Sequence, residues 1–303
     1  MESSITNFFN WNGLEIAWKV ENKIVKSNYA ILLIHGFGAS KEHWRYNQKA
    51  LSLNAPCYSI DLIGFGESSQ PKSQIPYEVN KKDKFVYSFD NWSTQVQNFC
   101  KEVIKKPVFL VGNSIGGVIA LRTAQLLEKE CIGIFLVDCA QRTMDDKRLH
   151  EQALHMRLLR PVIKTIVRQH VFSENIFKFA ARPKFIKKIL EIAYPSGNNI
   201  NDELINILAK PAKRKGAPEA FRGFINLFDD YLAPELLKKN NKKVFLIWGE
   251  NDPWESLAEA NKWKDTYDSI KSLDVIKKCG HCPHDENPEE FNKIVLEKIQ
   301  QAI

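Results

Sequence analysis

No stretch of the 303 residues is long and apolar enough to span a bilayer. The start, Met1-Glu2-Ser3-Ser4, lacks the positive residues and apolar run of a secretory signal. Cysteine is sparse: Cys57, Cys100, Cys131, Cys139, Cys279 and Cys282 follow no disulfide-framework spacing. Reduced thiols in a cytoplasmic protein are therefore the expectation. Cys279 and Cys282 stand as Cys-x-x-Cys around a histidine, but no second pair completes a zinc set. Gly-Lys-Ser/Thr and the dinucleotide-type glycine spacing are missing too. Neither a metal nor a cofactor is expected. Asn91-Trp92-Ser93 matches a glycosylation acceptor, which carries no meaning in a cytoplasmic chain.

Charge is present but not gathered. The 43 Lys and Arg against 36 Asp and Glu give +7, yet the basic residues are interspersed with acids rather than set in an aromatic-interleaved stripe. That pattern excludes nucleic acid as a partner. Transient contact with an anionic membrane surface is compatible with it.

The positive content begins with Val111-Gly112-Asn113-Ser114-Ile115-Gly116-Gly117. The apolar run Val108 to Val111 leads in, and a helical pattern from Val118 to Leu127 leads out. Strand, sharp turn and helix with a serine at the apex predict a nucleophile elbow, in which Ser114 takes a strained backbone conformation. Gly112 and Gly116 keep strand and helix from colliding.

A serine hydroxyl is almost wholly protonated, so it needs a base, and the base needs an orienting group. Lys243 to Gly249 reads as a buried strand followed by Glu250-Asn251-Asp252-Pro253-Trp254. A helix from about Glu255 to Tyr267 and a strand from about Ser272 to Lys277 then lead to Cys279-Gly280-His281. Ser114, Asp252 and His281 thus follow in nucleophile, acid, base order, each at a strand end. Asp138, ending the strand Ile132 to Val137, competes with Asp252 for the role of acid. His284 competes with His281, but it lies close to a helix that Asn287 caps, with Glu290 completing a capping box, and there it hydrogen-bonds locally or lines a wall. For the oxyanion, the N–H of Ile115 and that of Phe37 in Ile34-His35-Gly36-Phe37-Gly38 are the candidate donors. Phe37 and Trp254 are the candidate substrate walls.

The chain resembles serine hydrolases of the α/β-hydrolase fold over nearly its whole length. His35-Gly36-Phe37-Gly38, Asp61-Leu62-Ile63-Gly64-Phe65-Gly66-Glu67-Ser68, the Ser114 elbow, Gly249-Glu250-Asn251-Asp252 and Gly280-His281 fall in family order. More narrowly, Gly112 to Gly117, Asp252-Pro253-Trp254, Gly280-His281-Cys282-Pro283-His284-Asp285-Glu286 and the stretch Ile186 to Tyr194 are similar to pheophytinase-like hydrolases of cyanobacteria and plastids. Those enzymes cleave a phytyl ester, so the resemblance implies an ester with a bulky or long apolar group. Dehalogenase and epoxide-hydrolase relatives carry Asp where this chain has Ser114, so no dehalogenation is implied.

The remaining pattern fits that fold. Hydrophobic content of 44% supports a substantial core. Phe8 to Trp11 and Leu14 to Val20 flank Asn12-Gly13, a hairpin signal. Strands follow near Ala30 and Cys57, with a helix between them that Ser40 can cap; Gln70 to Lys84 reads as a surface loop, and Asp90 opens a helix to about Val103. Alternating strands and helices mean a mostly parallel central sheet with helices on both faces. Between Asp138 and Val244 only helical periodicity is visible: Leu149 to Val171, Ile176 to Ala180, Pro183 to Tyr194, Asp202 to Ala209 and Pro218 to Phe228. The expected organisation is a core of residues 1–140 and 241–303, with a helical cap of residues 141–240 inserted after the sixth strand. Leu154, Leu158, Leu159, Ile163, Ile166 and Phe172 form an apolar stripe expected to be mostly core. Carbon–carbon hydrolase of the meta-cleavage type, perhydrolase and non-catalytic receptor stand beside carboxylic ester hydrolase as alternatives.

Overall fold

The computed structural model describes residues 5–76, 78, 79 and 83–303. Among the described residues ten strands occur in chain order: β1 Asn7–Trp11, β2 Leu14–Glu21, β3 Ala30–Ile34, β4 Cys57–Ile60, β5 Lys72–Ser73, β6 Lys84–Phe85, β7 Val108–Asn113, β8 Cys131–Val137, β9 Lys243–Gly249 and β10 Ile270–Ile276. Eight of them form one sheet in the order β1-β2-β4-β3-β7-β8-β9-β10. β1 and β2 are the antiparallel hairpin, β2 meets β4 antiparallel, and every pairing from β4 to β10 is parallel. β5 and β6 pair as a separate two-stranded ribbon, so the segment read as a plain loop carries strand at both ends.

The parallel strands are apolar on both faces, as a sheet covered by helices requires. Leu32, Ile34, Leu110, Leu246 and Trp248 point into one core, packed by the helices Phe89–Phe99, Ile115–Leu127 and Leu257–Thr266. Their neighbours Ile31, Leu33, Phe109, Val111 and Phe245 point into the other, against Trp44, Leu51 and the helix Pro288–Ala302. Period-2 alternation therefore feeds two cores from one set of strands. β8 is the sixth strand of the main sheet, and the helices Leu154–Arg168, His170–Ala180, Pro183–Ala193, Asp202–Ala212, Ala217–Ile225 and Ala233–Leu237 separate it from β9.

Several local expectations change. The link between β3 and β4 is a 3₁₀ turn Lys41–Trp44 and a single turn Gln48–Leu51, and Ser40 makes no side-chain cap. The helix after β6 begins at Phe89 and is capped by Ser88, which accepts from Asn91 N. Glu290 bonds the Asn287 side chain rather than its backbone N–H, so only half of a capping box forms. The long cap helix starts at Leu154, not Leu149, because residues 146–151 wind as a 3₁₀ turn. The apolar stripe is the largest departure. Leu154, Leu158, Leu159, Ile166 and Phe172 are exposed; only Ile163 is half-buried.

Candidate active site

All candidate residues follow the carboxyl ends of parallel strands, where an open α/β sheet leaves its crevice. The register aligns Ile34 with Gly112, Asn113 with Val137, Val137 with Ile247, and Ile276 with Gly249. Each loop that continues from these pairs therefore emerges at one edge.

Ser114 sits between β7 and its helix with φ 55° and ψ −121°, a left-handed strained conformation for a residue with a side chain. The turn is tight enough that a Cβ on Gly112 would lie 2.1 Å from Gly116 O. Ser114 O accepts from Ala140 N at 3.1 Å, and its N–H donates to Val137 O at 2.9 Å, so the strained turn is tied to β8.

His281 Nδ1 donates to Asp252 Oδ2 at 2.8 Å, and Asp252 Oδ1 accepts from Trp254 N at 2.8 Å and Glu255 N at 3.1 Å. The Asp252 side chain is only 1% exposed. Burial opposes its charge, but the His281 hydrogen bond and charge together with the Trp254 N–H outweigh it and hold its carboxyl below the usual carboxylate value. The imidazole loop is fixed from two sides: His281 N donates to Ala193 O at 2.9 Å, and Asn113 Nδ2 donates to His281 O at 3.1 Å. A Cβ on Gly280 would lie 2.2 Å from Ala193 O, so the residue before this histidine must be glycine. Ser114 and His281 line the same cavity, with no hydrogen bond between them. In an unliganded site that bond is commonly long and closes only with substrate.

Asp138, the rival carboxylate, is fully buried, and its Oδ1 accepts from Gly249 N at 2.9 Å. It makes no contact with the imidazole but lies within hydrogen-bonding reach of Asp252. Its Oδ2 meets no donor among the described residues. Burial, and then the Asp252 charge, raise its carboxyl well above the ordinary value, which favours its protonated form. Of two carboxylates this close in a buried site, one stays neutral. The His284 ring is buried without a hydrogen-bond partner among the described residues, 4.3 Å from that of Trp44 and also packed on His43 and Phe291. It neither bonds locally nor lines the cavity, contrary to both expectations.

The loop after β3 is held by His35, which donates from Nδ1 to Gly36 O at 2.7 Å and accepts at Nε2 from Leu62 N at 3.1 Å. Phe37 projects from it and stacks on Phe224 with ring centroids 3.9 Å apart. The Trp254 and His281 rings pack edge to face with centroids 4.9 Å apart. Ile115 opens the helix, so its N–H has no intrahelical acceptor. Between cap and sheet lies a cavity of about 500 Å³ that reaches Ser114, His281, Phe37 and Trp254. Phe177, Phe185, Ile186, Ile189, Leu208 and Phe221 form its apolar cap side, and no Lys or Arg lines it among the described residues.

Sequence reasoning missed Asn113, His43, Tyr194 and Glu255. His43 Nε2 meets Tyr194 Oη at 2.8 Å, and Tyr194 donates on to Asp285 at 3.1 Å, joining the end of the Pro183–Ala193 helix to the core. Asn113 had a signal in its place beside the elbow serine, and Tyr194 in ending the stretch Ile186 to Tyr194. Glu255 lines the cavity and accepts from Gln141 N at 2.7 Å; burial lifts its carboxyl to about 7 against the pull of His281. The folded carboxyl thus keeps its proton to higher pH than the unfolded one. Folding takes up a proton between pH 4.5 and about 7, and stability falls with rising pH across that window. Glu255→Gln should remove this fall, worth at most about 3 kcal/mol. Thermal midpoints at pH 5 and pH 8 check it: the wild-type gap should shrink in the variant, and an unchanged gap would place the titration elsewhere.

The geometry and the fold together define the class. Residues 31–294 match the model of the alpha/beta hydrolase family, and the chain belongs to that family. It is 26% identical to the chloroplastic pheophytinase of Arabidopsis thaliana over 291 residues, covering 88% of this chain and 60% of that protein. The chain therefore spans less than two thirds of that relative's length. It is 25% identical to the uncharacterized hydrolase YugF of Bacillus subtilis, with 89% of each chain covered. Among solved structures, a serine hydrolase involved in carbazole degradation superposes with a TM-score of 0.76 over 99% of this chain and 100% of that one, at 20% identity. The resemblance to the pheophytinase group holds at this distance, and the structure carries the α/β-hydrolase fold.

Proposed function

We propose that this chain is a serine hydrolase that cleaves a carboxylic ester bearing a long or bulky apolar group. His281 Nε2 takes the Ser114 proton as Oγ attacks the ester carbonyl, while Asp252 fixes the Nδ1–H tautomer and steadies the imidazolium. The N–H groups of Phe37 and Ile115 hold the oxyanion. The alcohol leaves with the proton from His281, and water, activated by the same imidazole, frees the acid from Ser114.

The observation that carries the substrate class is the apolar cavity ending at Ser114 and His281. A vinylogous diketone acid, the substrate of the carbon–carbon alternative, would bring a carboxylate to a wall without Lys or Arg, which favours the ester. Each methylene buried contributes about 0.8 kcal/mol. On p-nitrophenyl esters, kcat/KM should therefore rise by roughly a hundredfold from butyrate to octanoate. A preference for acetate without gain on lengthening would remove the long-chain reading. Turnover of a dienedione chromophore in parallel, with no ester turnover, would install the alternative. Phytylated tetrapyrroles, suggested by the pheophytinase relative, belong in the same substrate panel.

A further inference from the structure

The apolar stripe expected to be core lies exposed on the helices that follow β8. Residues 154–192 hold eleven of the twenty-two exposed large hydrophobic side chains among the described residues. Half of these exposed side chains thus fall on three consecutive helices between β8 and β9. Leu154, Leu158, Val162 and Ile166 recur every fourth residue as one solvent-facing stripe, with Leu158 70% exposed. Val171, at 71%, and Phe172 are exposed on the next helix, and Ile189 and Ile192 on the third. Monomers rarely leave so large an apolar surface without a partner.

The same segment concentrates charge. Residues 154–192 contain nine Lys and Arg against two acids, a net +7, while the rest of the chain carries 34 of each sign and nets zero. The whole excess charge of the protein therefore sits on these helices. Lys178 pairs with Glu174, and Lys164 with Asp146. Arg157, Arg182, Lys184, Lys187 and Lys188 are exposed, and none has an ion pair among the described residues.

We propose that this face docks onto an anionic lipid bilayer. Exposed apolar side chains rimmed by unpaired cations match a headgroup surface over acyl chains. A second copy of the chain would instead face one +7 surface with another. Among the described residues no helix is long and apolar enough to cross a membrane, so the helices lie on the surface rather than span it. The face is continuous with the cavity: Phe177, Phe185, Ile186 and Ile189 belong to the same helices, and Ile189 is both exposed and part of the cavity wall. On the ester reading above, a membrane-dissolved substrate enters by that route; the docking itself does not depend on that reading.

The test is flotation of the full chain with vesicles of phosphatidylcholine alone and of phosphatidylcholine mixed with phosphatidylglycerol, at low and high salt. The expected result is partitioning onto the mixed vesicles only, weakened by salt. Replacing Lys184, Lys187 and Lys188 together by Gln should lower it by about a hundredfold, at about fivefold per lysine. Leu158→Asp should lower it as well, and both variants should keep the wild-type circular dichroism spectrum and thermal midpoint, which verifies folding. Ser114→Ala should bind vesicles like the wild type, so a failed ester reading leaves this measurement standing. Equal binding to both vesicle types, or no loss in the lysine variant, would overturn the proposal. So would absence of vesicle binding with a concentration-dependent dimer that Leu158→Asp dissolves, which would assign the face to a second copy.

Discussion

Ser114→Ala is expected to abolish covalent labelling by fluorophosphonates and to lower ester turnover by about 10⁴-fold or more, leaving binding of the apolar ligand largely intact. The loss is large because Ser114 Oγ forms the covalent bond in the proposed reaction, and among the described residues no other serine or threonine lines the cavity. The cavity walls are untouched by the change, so KM for a long-chain ester should move little while kcat collapses. Labelling of the variant at an undiminished rate would send the nucleophile elsewhere.

Asp252→Asn should cost about 10⁴-fold in kcat, whereas Asp138→Asn should cost less than about tenfold. Asp252 contacts His281 Nδ1 directly, and an amide there stabilises the wrong tautomer or no imidazolium at all. Asp138 acts at one remove, through Gly249 N and Asp252. Its amide replacement keeps an oxygen for the Gly249 N–H and gains an N–H for Asp252, which is the hydrogen-bonding pattern of a protonated acid. Asp138→Ala, lacking both, should be worse than Asp138→Asn and should shift the pH profile of kcat/KM, because the charge on Asp252 loses a stabilising donor. A greater loss from Asp138→Asn than from Asp252→Asn would move the acid to the earlier strand end.

The elbow was legible because its chemistry is local. Gly112, Ser114 and Gly116 are close in sequence, and the collision that demands glycine at 112 is with Gly116 O in the same turn, whereas the one at 116 is with Ile34 O and His35 O at the end of β3. The hairpin at Asn12-Gly13, the buried strands and the order of Ser114, Asp252 and His281 were readable for the same reason, since each depends on residue type and spacing alone. Pairing across the sheet was not. Only the alignment of Asn113 with Val137 and Val137 with Ile247 decides that Asp252 reaches the imidazole while Asp138 stands behind it, keeping a proton because two buried carboxylates cannot both ionise.

The cap divides in the same way. The amino-acid sequence by itself determined that helices fill the span between β8 and β9 and that one of them has an apolar stripe, because periodicity records which residues share a helix face. It did not determine which way that face turns. Rotation of a helix about its axis is set by what packs on it. Arg160, Ser173 and Leu190 turn inward, leaving Leu154, Leu158, Val171 and Phe172 in solvent on a segment rich in lysine and arginine. Sequence thus determined the chemistry available at each strand end and helix face. Tertiary structure decided which of those groups meet, because distance between residues remote in the chain is fixed only by the packing that brings their elements together.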